Sequence, residues 1–358
     1  FLTAIGSFAA GTLVCATAPG FPLLLAGRVI QAAGAGIMIP LMQTILFVAF
    51  PVERRGTMMG IFGLVITLAP AIGPTLAGWL VDHYPWRSLF WLILPIAVLD
   101  LAFAYFFLGN VTEQNSSKVD IPSILTSTLG FGGILYGFSS AGTAGWANVQ
   151  VLVPLAVGTS ALIFFVWRQL KLARPMLEFR VFRFGIFALS TGVTMIIYTS
   201  MIGATAILPI YMQNMRHFSA TESGLMMLPG ALAMGTMSLV SGRLFDKLGA
   251  SGAKRMAILG VGMVMTPMTT LAIGQLPKAL IPHGTAMNNT MRQVAGAIGT
   301  AVLITVMTSR AAGGSGETSG AGFIQGVNAS FLATALLAAL GVVLSLFLKQ
   351  KAPAKDLT

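Results

Sequence analysis

Charge is scarce in this chain. Only 9% of its 358 residues are Asp, Glu, Lys or Arg, ten of them acidic and 21 basic. A single cysteine, Cys15, lies in an apolar run, so no internal disulfide can form, and neither redox chemistry nor a thiolate metal cluster has the residues it needs. The ten carboxylates are scattered, and three histidines, His83, His217 and His283, stand far apart. That leaves neither an acidic metal cluster nor the positioned nucleophile and base that an intramembrane transferase would need. The first apolar run opens at Phe1, with no initiator Met and no signal-peptide n-region before it, so the sequence reads as lacking an N-terminal piece.

What the chain has in abundance is apolar length. Hydrophobic residues make up 56% of it and the mean hydropathy is +0.85, more than a soluble core needs. Eleven apolar segments stand out, at about 1–18, 23–50, 58–81, 89–109, 121–142, 151–167, 185–212, 223–241, 256–276, 285–307 and 328–348. Runs of roughly 18 to 28 residues suit α-helices crossing about 30 Å of hydrocarbon, not the short alternating strands of a barrel. The expected class is an all-α, polytopic membrane protein. Forty-one glycines and seventeen prolines within such runs require neighbouring helices or water to satisfy the backbone, which implies a packed bundle with moving parts.

The formal charge of +11 does not indicate nucleic acid, because Arg and Lys fall in short loops. Glu53, Arg54 and Arg55 follow the second segment. Arg168, Lys171, Arg174, Arg180 and Arg183 follow the sixth, and Arg243, Lys247, Lys254 and Arg255 the eighth. Alternate loops carry almost no positive charge, so the basic ones are expected in the cytoplasm, together with a tail holding Lys349, Lys351 and Lys355. Parity then fails: one span at 256–276 would put that tail outside. About one helix is therefore expected to be missing near Gly260–Val261. Residues 110–118 read as a polar cytoplasmic connection, and 313–327 as a flexible outer spacer.

Within 68–79, Ala69, Gly73 and Ala77 recur every four residues and predict a thin stripe for close helix packing. Pro70 and Pro74 lie beside it; each lacks an N–H, which predicts a bend. Gly73-Pro74 followed by Ala77-Gly78 resembles the antiporter signature in the fifth helix of major facilitator superfamily exporters. Arg28 with Gln31, in RVIQAAGAG, resembles the family's Arg-x-x-Gln-Gly-x-Gly motif, with Ala32 in place of a glycine. In the family that arginine is buried and linked to proton movement, although snorkelling would account equally for Arg28 alone. Trp86-Arg87-Ser88-Leu89-Phe90 resembles the entrance to the sixth helix, where Arg87 reads as structural.

Asp100 lies mid-segment with no base nearby in sequence, and is expected either to carry protons or cationic cargo or to bond a neighbouring helix. Gly242-Arg243-Leu244-Phe245-Asp246-Lys247-Leu248-Gly249 resembles the superfamily's cytoplasmic loop motif. Asp246 there suits a helix N-terminus or a basic residue, and Gly242, Arg243, Asp246 and Gly249 are read as a gating loop. The run from His283 to Gly299 resembles the thirteenth helix of the fourteen-helix, EmrB/QacA-type branch, with Asn289 and Gln293 one turn apart on a polar path or bonding between helices. Abundant Phe and Met would line an adaptable cavity as readily as pack against lipid.

The resemblance implies a major facilitator fold of two helical bundles, 1–109 and 185–358, joined by 110–184 with two inserted helices. It implies efflux of small hydrophobic or cationic drugs in exchange for protons across the cytoplasmic membrane of a bacterium, by alternating access. The alternative is export of an endogenous metabolite or lipid-like compound by the same machinery. No enzyme activity and no cofactor are expected. Partners are the lipid bilayer, protons, the carried molecule and, of unknown identity, accessory efflux subunits.

Overall fold

A computed structural model describes residues 1–107, 120–173, 175–259, 261–312 and 320–347. The connection at 110–118, Arg174, Gly260, residues 313–319 and the tail lysines lie outside the described residues, as do the side chains of Pro70, Pro74, Lys254 and Arg255.

Eleven α-helices account for the described chain: α1 (Leu2–Thr17), α2 (Phe21–Ala49), α3 (Arg55–His83), α4 (Ser88–Phe107), α5 (Ile121–Ala144), α6 (Val149–Lys171), α7 (Gly185–Met215), α8 (Ala220–Leu259), α9 (Val261–Gly274), α10 (Ile281–Ala312) and α11 (Gly320–Leu346). Eight helical stretches among the described residues are long and apolar enough to cross a membrane. They follow the apolar runs because a backbone in lipid must satisfy its own hydrogen bonds. Pro40, Pro95, Pro154, Pro209, Pro229 and Pro267 all sit inside helices.

Helices α1, α2 and α4 pack together, α3 lies along α8, and α7, α9, α10 and α11 form a second group. The α5–α6 hairpin packs on itself and against α10. Its foot is polar: Arg168 donates to Asp120 at 2.8 and 3.2 Å, and Gln169 donates to Ser123 at 2.6 Å. Hydrogen bonds from Arg168 and then Ser123 hold the Asp120 carboxyl below the usual carboxylate range. Arg87 donates twice to the carbonyl of Ala18, at 3.1 and 2.7 Å, tying the start of α4 to the end of α1.

One expectation is corrected here. The motif at Gly242–Gly249 is not a loop: α8 runs through it, and the helical path breaks only at Gly249, with φ 61° and ψ −149°. Helix holds there because Phe245 packs into the apolar cluster of Val193, Ile197, Val264 and Met268, and because Gly242 lets α3 approach closely. That backbone conformation is open essentially only to glycine.

The stretch 256–276, where about one helix is expected to be missing, does not form one crossing. Helix α9 has 14 residues, about 21 Å of rise, short of a bilayer core. Its end lies at the face where the basic loops emerge: Ile273 packs with Phe47, Met59 and Ile281, and Leu276 with Phe187 at the start of α7. Its beginning lies deeper, with Val264 against Val193 and Ile197. The chain leaves the basic face at Gly249 and is back on it by Leu276. Helix α11 ends at the same face, where Leu344 packs on the cluster that Ile186 and Leu189 also join.

Candidate functional site

The seam between α3 and α8 is built from small residues. A Cβ on Gly242 would overlap the Gly56 carbonyl, one on Gly60 would come within 2.9 Å of the Ser238 carbonyl, and one on Gly224 within 2.8 Å of the Thr75 amide nitrogen. Backbones therefore touch along most of α3, opposite residues 224–242 of α8. At the basic end the seam closes on one carboxylate. The N–H groups of Gly56 and Thr57 donate to Asp246 at 2.7 Å each, and the Thr57 hydroxyl donates at 2.5 Å. These amides belong to the first turn of α3, which has no intrahelical acceptors and carries the positive end of the helix dipole. At the opposite end Thr221 donates to Asp82 at 3.0 Å.

A second seam joins α2 to α10 in the half nearer the basic face. Thr44 and Thr285 share a hydrogen bond of 2.9 Å. Arg292 donates to the Asn289 carbonyl oxygen at 2.8 Å, and Asn289 donates to the Gln43 carbonyl oxygen at 2.6 Å. Phe47, fully buried, closes the end of this polar line with Met59, Ile273 and Ile281.

The expected pathway residues occupy separate places. Arg28 is exposed and donates to Gln31 at 2.8 Å, and Gln31, 5% exposed, donates to Thr12 on α1 at 2.8 Å. Gly27 and Gly34 of α2 meet α1 so closely that a Cβ would overlap Cys15 or the Ala4 carbonyl. Asp100 is exposed on α4 and borders a cleft of about 480 Å³ with Ile5, Phe8 and Met38. It has no hydrogen-bond or ion-pair partner among the described residues. Asn289 points into the α2–α10 seam, whereas Gln293, one turn on, accepts from the Tyr198 hydroxyl at 3.0 Å. Gln293 lines a cleft of about 510 Å³ between α5, α7 and α10. The structure thus brings together Arg28 with Gln31, and Asn289 with Gln43 and Arg292, and keeps these sets and Asp100 apart.

In the fifth-helix signature, α3 is helical through positions 70 and 74. The close-packing stripe is not Ala69, Gly73 and Ala77. Gly73 is exposed with nothing within 4 Å of a Cβ, Ala69 is exposed and Ala77 half-buried, while Gly78 is buried. Gly56, Gly60 and Gly63 make the contact instead. Of the motif on α8, Gly242 and Asp246 lie in the seam and Arg243 is exposed.

Arg292 and Gln43 escaped the sequence reading. Arg292 stands about 16 Å along α10 from Ile281, near mid-membrane. Its signal is general: an ionisable residue inside an apolar span marks a functional site by default.

Residues 1–261 match the sequence profile of the Major Facilitator Superfamily. The chain is 48% identical over 379 positions to the MFS-type transporter YcnB of Bacillus subtilis, covering 98% of this chain and 80% of that one. It is 38% identical to the lincomycin resistance protein LmrB of Listeria monocytogenes, covering 95% and 80%. The human organic anion transporter MFSD10 (TETRAN) has the same fold, with a TM-score of 0.62 at 16% identity over 96% of this chain and 76% of that one. The chain belongs to the Major Facilitator Superfamily and is a multi-pass membrane transporter, not an enzyme. Because 98% of 358 residues is about 351, some 28 of the 379 aligned positions have no residue here, about the length of one span.

Proposed function

We propose that this transporter exports hydrophobic drugs across the bacterial cytoplasmic membrane in exchange for protons, as a member of the fourteen-helix drug:proton antiporter branch. The observation that carries the reading is the α3–α8 seam, joined by small residues and latched by Asp246 on backbone amides. Alternating access needs an interface that parts and reseals at low cost. Amides at a membrane edge can exchange a carboxylate for water, and glycine contacts leave no interdigitated side chains to pull apart. Gly73, Pro74, Ala77, Gly78 and Pro70 belong to the helix that moves at this seam.

Charge bias takes the sealed, basic end as cytoplasmic, with the C-terminus inside. Arg28, Gln31 and Asp100 are assigned the proton, and Asn289 and Gln293 the cargo path. Residues 1–109 and 185–358 are the two moving halves, and 110–184 joins them. Coupling requires proton and drug to favour different states. That a relative at 38% identity is named for lincomycin resistance supports drug cargo.

The test is uptake of lincomycin and of hydrophobic dyes into vesicles carrying the full chain under an imposed pH gradient. Gradient-driven accumulation is expected, with a large loss in Arg28→Ala and Asp100→Asn. Unchanged uptake in both variants would remove the proton assignments, and no uptake by the wild type would remove the function.

A further inference from the structure

Arg292 is a permanent cation near the middle of the membrane, and no carboxylate lies within ion-pair distance of it among the described residues. The Tyr198 ring covers one face of its guanidinium, with the ring centre 5.1 Å away. Nη2 is held by Asn289, while Nε is buried without a hydrogen-bond partner. The side chain is half-buried with its Nε fully enclosed, and a charge desolvated like this is costly unless something neutralises it.

The hydrogen-bond order fixes a second free donor. Arginine only donates, so Asn289 must turn its carbonyl oxygen to Arg292 and its NH2 to Gln43. Gln43 must then accept through its oxygen, which leaves its own NH2 pointing elsewhere. Gln43 is fully buried, and that Nε2 has no partner. Arg292 and Gln43 both line one cavity of about 60 Å³, shared with Thr67, Ser238 and Thr266 and walled by α2, α3, α8, α9 and α10, and their two orphan donors are buried beside it. No carboxylate lines it. The cavity has room for a few waters, a space that suits a halide or a single carboxylate head.

We infer that Arg292 and Gln43 form a binding site for one small anionic group, either a free monovalent anion such as chloride or the carboxylate of a carried molecule. The carried-molecule form rests on the transport function proposed above; the free-anion form does not. Because the cavity's walls come from both sides of the two seams, the anion is held fully only while the seams are closed, and its binding favours that state.

The experiment uses the purified full chain in detergent with no gradient, so its outcome is independent of transport. Thermal unfolding is followed at constant ionic strength as chloride replaces gluconate. Equilibrium binding of 1-naphthoate is compared with that of its uncharged isostere 1-naphthamide. Saturable stabilisation by chloride identifies a free-anion site; naphthoate binding about tenfold or more above the amide identifies a cargo carboxylate. In Arg292→Gln either response falls by about tenfold or more, in Arg292→Lys part of it remains, and in Gln43→Leu it falls about threefold to tenfold. A wild type that responds to neither probe overturns the inference, as does a full response in Arg292→Gln. Should Arg292→Gln not fold, Gln43→Leu decides, because it keeps the charge: an unchanged response there overturns the site. Vesicles that accumulate no drug while the anion response persists would instead count against the transport function alone.

Discussion

Asp246 caps the first turn of α3 across 190 residues of sequence, accepting the Gly56 N–H at 2.7 Å. Few contacts in the chain join such distant positions through so many bonds to one side chain. The carboxylate does for α3 what an N-cap residue does within a helix, but from another helix. Asp246→Ala should lower stability by about 1–2 kcal/mol, the range of a lost N-cap, with Asp246→Asn between it and the wild type. It should also speed alkylation of a cysteine placed at Met59, which is 3% exposed behind the latch, in a Cys15→Ser background. Slow, unchanged labelling would show that the carboxylate holds nothing shut.

Gly242 sets the spacing of the same seam. A methyl there has no room beside the Gly56 carbonyl, so Gly242→Ala should destabilise by about 1–3 kcal/mol through overpacking. Gly73→Ala, in open space, should leave stability within about 0.5 kcal/mol. Thermal unfolding of the two variants side by side checks both.

Gly249 breaks α8 in a conformation closed to side chains, φ 61° and ψ −149°. Gly249→Ala should cost about 1–3 kcal/mol of backbone strain. Limited proteolysis around that break measures it, with faster cutting expected in the variant.

Asp120 gives a pH dependence whose sign follows from its lowered carboxyl. A carboxyl depressed on folding contributes stability at every pH above its unfolded value, about 3.9. That contribution is lost as pH falls through the lowered value. The foot of the α5–α6 hairpin should therefore hold at neutral pH and loosen only below about pH 4. Hydrogen exchange at the start of α5 reports it, and Asp120→Asn should show no further loosening on acidification.

The helices were legible because each backbone in lipid must close its own hydrogen bonds, so long apolar runs leave one solution. Asp246 was legible as a residue suited to a helix N-terminus, although nothing local named α3 as that helix. The packing face of α3 was not legible. Gly56, Gly60 and Gly63 form one thin stripe and Ala69, Gly73 and Ala77 another, and only the position of α8 decides which is buried. The polar motif at Gly242 read as a loop because it resembles the superfamily's cytoplasmic loop motif, whereas in the structure Phe245 and Gly242 face packed neighbours and keep it helical. Gln43 could not have been found by pattern: one amide in an apolar run gains meaning only when Asn289 is set against it.

The return of the chain between Gly249 and Leu276 to the surface it departed from has a bearing on how carriers of this kind can be trimmed. An out-and-back excursion adds nothing to the tally of crossings. It can be shortened without turning any later segment upside down, so α10 and α11 thread the bilayer in the directions a full-length hairpin would have given them. Losing a lone crossing would invert them both.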